Sequence, residues 1–154
     1  MIKYFLPAII TLLLTFSPSL KAQQTTADSI KAVINQLFKG MKEKDSTLVS
    51  ACFSSGAIMQ TVASRKDGMN VVRSGAVREF LIAVAADHPE VYDERIRFDG
   101  IHIDGDLASV WTPYEFYIGE RFWHCGANSF QLARLNGLWK IIYLVDSRHP
   151  GPCR

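Results

Sequence analysis

The sequence is short of several things, and each shortage narrows the reading. It lacks an excess of charge of either sign: 17 Lys and Arg stand against 15 Asp and Glu. With Lys3 and Lys21 set aside, 15 basic residues face 15 acidic ones. That balance gives no basis for binding nucleic acid or an anionic membrane surface. Cysteine is scarce. Cys52, Cys125 and Cys153 match no zinc spacing, and a domain of this size needs no disulfide framework. An odd count in an exported chain leaves at least one thiol free or paired between chains, so the expectation is of buried or idle thiols. There is no glycine-rich phosphate loop, no serine nucleophile elbow, and no metal-spaced His/carboxylate pair within a helix. The four histidines, His88, His102, His124 and His149, are scattered. Neither a metal nor a cofactor is expected.

A long apolar run is also missing. Tyr4 to Phe16 is apolar but shorter than the ~20 residues of a membrane-spanning helix. Lys3 precedes it, and Ser17 to Ala22 forms a polar, turn-prone exit ending in a small residue. This is the layout of a secretory signal over residues 1–22, with cleavage after Ala22. No cysteine follows the run, which argues against a lipid anchor. The expected location is periplasmic or secreted, with no stable membrane insertion after cleavage. The 154 residues less these 22 leave 132, enough for one domain with a real core. Residues 23–26 read as a polar leader, 27–148 as the domain and 149–154 as a tail. No repeat, low-complexity tract or linker interrupts them.

Helical spacing comes first. Ile30, Val33, Ile34, Leu37, Phe38 and Met41 recur along one stripe of Ala27 to Lys44. Asp45 suits the N-cap of a short second helix carrying Leu48, Val49, Cys52 and Phe53. Ala57 to Ala63 reads as a strand and Arg65 to Gly68 as a loop. Ser74 is placed to cap a third helix with Val77, Phe80, Leu81 and Val84 inward, ended by His88-Pro89. Four strands follow: Tyr92 to Ile103, Asp106 to Ile118, Arg121 to Leu135, and Leu138 to Arg148. Asp104-Gly105, Gly119-Glu120 and Asn136-Gly137 separate them as tight hairpin turns. Three helices before an antiparallel meander make an α+β domain.

Paired N-terminal helices, a third helix, and long strands ending "FQLARLNGLWKIIYL" resemble the nuclear-transport-factor-2-like superfamily. The resemblance covers Ala27 to about Arg148. It implies three helices packed on a strongly bent antiparallel sheet, a cone-shaped α+β barrel, with any site in the cavity between helices and concave sheet face. It implies no single activity, because the superfamily holds ketosteroid isomerases, scytalone dehydratase, polyketide cyclases and non-enzymatic domains.

Two-residue turns fix trial registers. Leu135 pairs with Leu138, setting Phe130 opposite Tyr143 and Asn128 opposite Val145. Ile118 pairs with Arg121, setting Glu115 opposite His124 and Trp111 opposite Asn128. Ile103 pairs with Asp106, setting Phe98 opposite Trp111 and Glu94 opposite Glu115. Alternation then gathers Ile96, Phe98, Leu107, Trp111, Phe130, Leu132, Trp139, Ile141, Tyr143 and Val145 on one face. The other face takes Arg95, Lys140 and Asp146, with Val110, Tyr114, Phe116, Trp123 and Leu144 among them. So many apolar groups on an outer face call for a cover, and a homodimer through the sheet supplies one.

The expected cavity residues are Trp111, Asn128, Tyr143, Phe98 and Phe130 as ligand contacts, with Glu94 also possible. Glu115 and His124 are the candidate acid/base pair, a carboxylate across from an imidazole. The main functional expectation is an exported domain holding a small hydrophobic molecule in an apolar cone. The alternatives are a cofactor-independent isomerase or dehydratase using the same cavity, and a structural or partner-binding domain with a filled cone.

Overall fold

The computed structural model describes residues 18–65 and 67–153, with side chains described from Thr25 onward. The apolar run Tyr4 to Phe16 lies outside the described residues. The chain opens with helix α1, Pro18–Glu43, which begins before the expected Ala27. Its stripe of Ile30, Ile34 and Leu37 is fully buried against the sheet. The helix stops where Lys44 turns left-handed at φ 58°. There Asp45 N donates to Gly40 O at 2.9 Å and Lys44 N to Met41 O at 3.3 Å, closing the last turn. Asp45 then caps α2, Ser46–Ser50, by accepting from Leu48 N at 2.8 Å. None of the described helices is long and apolar enough to cross a membrane.

Phe53, expected in the second helix, instead opens strand β1, Phe53–Ser64. The segment expected to cap the third helix is a strand of its own, β2, Asn70–Gly75, so Ser74 caps nothing. Its side chains are mostly exposed, and a short polar edge strand leaves no alternating apolar signal. Helix α3 spans Val77–Ala85, and Glu79 accepts from Ala76 N at 3.4 Å at its start.

The expected strand Tyr92 to Ile103 is broken into β3, Tyr92–Ile96, and β4, Gly100–Asp104. Both pair with β5, Leu107–Ile118, with a register slip across Arg97 to Asp99. β6, Arg121–Leu135, and β7, Leu138–His149, complete a seven-stranded sheet of order β2-β1-β7-β6-β5-β3, with β4 also paired to β5. All pairings are antiparallel except β1 with β7. Asn136 and Gly137 both take positive φ, as a two-residue hairpin turn requires. The α+β class and the three helices hold.

Two bulges correct the expected faces. Leu135 pairs with Leu138 and Leu132 with Ile141, as expected. The register then slips, so Gln131 pairs with Tyr143 and Asn128 with Asp146. Ile142 is the extra residue. At the preceding hairpin Ile118 pairs with Arg121 and Tyr117 with Phe122, but Phe116 pairs with His124, leaving Trp123 extra. One extra residue reverses the alternation beyond it. Ala108, Val110, Thr112 and Tyr114 are therefore buried inward, while Leu107 and Trp111 are about half exposed. Leu144 turns inward and Tyr143 outward.

The inner face and α1 share the core. Phe130, Leu132 and Ile141 are fully buried, and Phe38 meets Phe130 edge-on at 6.3 Å. The expectation of idle thiols is overturned for two cysteines: Cys125 and Cys153 form a disulfide, with Cα atoms 5.9 Å apart. The bond ties the tail back onto β6. Register shift placed His149 opposite Cys125, so β7 runs one residue past its expected end. Only Cys52 remains a free thiol, buried, and its burial pushes the thiol pKa up to about 11.

Candidate functional site

A cavity of about 500 Å³ lies between the inner sheet face and helices α1 and α3. Its walls are largely apolar: Leu37, Phe38 and Met41 from α1, Phe80 and Val84 from α3, and Leu144 from β7. The helical spacing that packs these helices on the sheet also supplies the walls. Polar groups gather on the strands. Glu94 (β3), Tyr114 (β5), His124 and Asn128 (β6), Thr61 (β1), and Asp146 and Arg148 (β7) all line the same space.

Their bonds divide them into satisfied and open groups. Asp146 is fully engaged: Oδ1 accepts from Thr61 Oγ1 at 2.5 Å, and Oδ2 from Arg148 Nε at 2.6 Å and Tyr114 OH at 3.3 Å. The single Tyr114 proton is shared between that oxygen and Ser147 O, the nearer acceptor at 3.0 Å. Gly126 allows that approach, since a Cβ there would stand 1.8 Å from Ser147 O and 3.1 Å from the Tyr114 ring. Asn128 is almost wholly buried, and its Nδ2 donates to Glu94 Oε1 at 2.8 Å.

Electrostatics follow from burial. Desolvation raises the Glu94 carboxyl to about 7, against the hydrogen bond from Asn128 that works the other way, while the Asp146 charge adds to the rise. Burial holds the His124 imidazole below the usual histidine range, and the nearby Arg148 charge adds to this. The His124 ring lies against Phe116 at 5.0 Å and edge-on to Tyr114 at 5.7 Å. Desolvation also raises the Tyr114 hydroxyl, helped by Glu94 and Asp146. The cavity thus pairs a carboxyl that exchanges its proton near neutrality with an imidazole that is neutral there.

Of the expected site residues, the structure brings together Glu94, His124 and Asn128. Glu115 is not across from His124. It pairs with Cys125, lines a separate groove on the opposite face, and accepts from Tyr117 OH at 2.7 Å. The Trp123 bulge separates the two. Trp111 lines that same outer groove. Tyr143 is not part of the lining and donates to Gln60 Oε1 at 2.6 Å. Phe130 and Phe98 belong to the core beneath the cavity rather than to its lining. Tyr114, Asp146 and Arg148 were missed because the bulges at Trp123 and Ile142 exchanged faces. Thr61 was missed because nothing in the local pattern announces a parallel β1–β7 pair. Among the described residues no group of His, Cys, Asp and Glu is placed to hold a metal.

Solved structures share this arrangement of helices on an open sheet. A protein of unknown function from Shewanella baltica matches with a TM-score of 0.66 at 21% identity, covering 82% of this chain and 96% of that one. The fold is NTF2-like. A second NTF2-like protein, from Novosphingobium aromaticivorans and described as having a cystatin-like fold, matches with a TM-score of 0.68 at 10% identity, covering 90% and 94%. A protein of unknown function from Mycobacterium tuberculosis matches with a TM-score of 0.66 at 20% identity, covering 88% and 78%. No family model and no curated protein matches the sequence. At these identities the likeness carries the NTF2-like fold alone, so the cavity's own groups must carry any functional argument.

Proposed function

We propose that this NTF2-like chain binds a small, largely apolar molecule in its cone cavity, with a polar head at the Glu94–Asn128 end. The observation that supports this most is the combination of a cavity of about 500 Å³, apolar walls and a polar cluster carried mainly by the strands. That is the composition of small-molecule pockets, where apolar contact gives affinity and a few fixed polar groups give orientation. Mass spectrometry of the natively purified protein tests it. A bound small molecule is expected, and Ala83→Trp, at an exposed position on the cavity lining, should displace it with little change in melting. A native protein that carries nothing and takes up no apolar probe would sink the proposal.

A second reading, acid/base catalysis of isomerisation or dehydration, is favoured by the Glu94 carboxyl at about 7. Glu94 would move the proton, with neutral His124 beside it. On this reading Glu94→Gln removes turnover of a bound substrate and leaves binding measurable. Equal turnover in the variant would remove Glu94 from the chemistry.

Export and dimerisation complete the proposal. Export rests on residues 1–22, and the mature N-terminus is then Gln23. Dimerisation rests on the outer sheet face, where Val72, Val62, Ile58, Trp111 and Leu107 are substantially exposed. An apolar face of this kind is covered most simply by a second copy of the chain.

A further inference from the structure

We propose that the head group bound by this cavity is a cationic amine, so that the ligand is an amine with an apolar body. The inference deepens the small-molecule reading above and rests on it.

Three observations carry it. First, the lining is acidic: Glu79, Glu94 and Asp146 stand against the single guanidinium of Arg148. Second, beside the Arg148 guanidinium, whose Nε alone is engaged among the described residues, two acceptors stay open at the polar end. Asp146 already accepts from Thr61 and Arg148, and it shares the one Tyr114 proton with Ser147 O. The Asn128–Glu94 bond uses Nδ2 and Oε1, leaving Asn128 Oδ1 and Glu94 Oε2 without a partner among the described residues. An ammonium offers three donors and no acceptor, which matches such a pair. Third, Asn128 is 4% exposed and lines the cavity, so its free carbonyl is held by the fold rather than by solvent.

The groups facing Glu94 decide the pH dependence. From β7 they are Asp146 and Arg148, and from β6 His124 and Asn128. β5 contributes Tyr114, α3 contributes Glu79, and α1 presents only Leu37, Phe38 and Met41. A bound cation favours ionised Glu94, whose carboxyl sits at about 7 in the empty cavity. Amine affinity therefore rises with pH through 7, up to the amine's own deprotonation. A carboxylate ligand follows the opposite trend, and an alcohol responds weakly.

Calorimetric titration of decylamine, decanol and decanoate between pH 5.5 and 8.5 tests this. Decylamine is expected to bind tightest at pH 8.5, about 30-fold tighter than at pH 5.5, as linkage to a group titrating near 7 requires. Glu94→Gln, which keeps the bond to Asn128, should flatten that dependence, while the decanol profile stays flat with pH in both proteins. Wild-type amine and alcohol profiles supply the comparison even where the variant folds poorly. Tighter binding of decanoate or decanol at pH 8.5, or a flat amine profile, would overturn the inference while leaving the cavity reading intact. Binding of none of the three would overturn both.

Discussion

Thr112 is wholly buried on the inner face of β5, and its hydroxyl has no hydrogen-bond partner. A buried hydroxyl left unpaired costs about 1–3 kcal/mol. Thr112→Val keeps the shape and removes the cost, so it should stabilise the chain by about 1 kcal/mol in urea denaturation. A loss of stability would mean that the hydroxyl bonds something in solution. Glu94 is the other residue whose surroundings conflict with its chemistry. Folding lifts its carboxyl from 4.5 to about 7, so the folded chain holds the proton more tightly than the unfolded one. Its contribution is complete below pH 4.5 and is lost as pH rises through 7, on the order of 3 kcal/mol for one such group. His124 works at the acid end, because its lowered imidazole pKa loses stability as pH falls through 6.5. Glu94→Gln should therefore exceed the wild type in stability at pH 8 and match it near pH 4.5. Parallel profiles across that range would show that Glu94 is not buried as described.

Among the elements, the β6–β7 hairpin carries most of the site, and Gly126 is its tightest point. Gly126→Ala would drive a Cβ into the Ser147 carbonyl and the Tyr114 ring. The strands must part there, at a cost of about 3 kcal/mol or more, since overpacking of a dense interior runs near that size. A change under about 1 kcal/mol would refute the packing. The same hairpin shows what a sequence can and cannot reveal. Asn136-Gly137 announces the turn, and the pairs from Leu135–Leu138 to Leu132–Ile141 follow from it. The slip at Ile142 has no such marker, because the extra residue is as apolar as its neighbours. Asp146 and Tyr143 exchange faces there, and Trp123 does the same for Trp111 and Tyr114. Alternation thus recovers the last four strands and the core around Phe130, Leu132, Trp139 and Ile141, but the inner residues of β5 and the site required the bulges. The helices were legible because a 3.6-residue stripe survives small errors in its ends. β2 was not, being short, polar and at an edge.

For the molecule as a whole, the outer sheet face sets the expected assembly. Exposed Val72, Ile58, Trp111 and Leu107 lie on strands with no covering layer among the described residues. Sedimentation at micromolar concentration is expected to give a dimer, and Trp111→Glu should convert it to monomer with the cavity intact. A monomeric wild type would remove the dimer. Intact mass of the exported protein is expected to begin at Gln23, and retained earlier residues would contradict cleavage there. The Cys125–Cys153 bond should contribute roughly 3–4 kcal/mol through the loop it closes. Cys125→Ala with Cys153→Ala should lose that amount in denaturation and become indifferent to reductant.

The same bond also reroutes mechanical load. A pull on the C-terminus passes at Cys153 directly to Cys125, within β6, and leaves β7 slack. The 28 residues of separation between them, about 95 Å of extended chain, stay hidden from the force. The parallel seam between β1 and β7 is therefore spared from any tension applied at that end. Reduction of one bond would release this length and hand the seam the full load, so in an oxidising compartment the chain is tethered through its sixth strand and in a reducing one through its seventh.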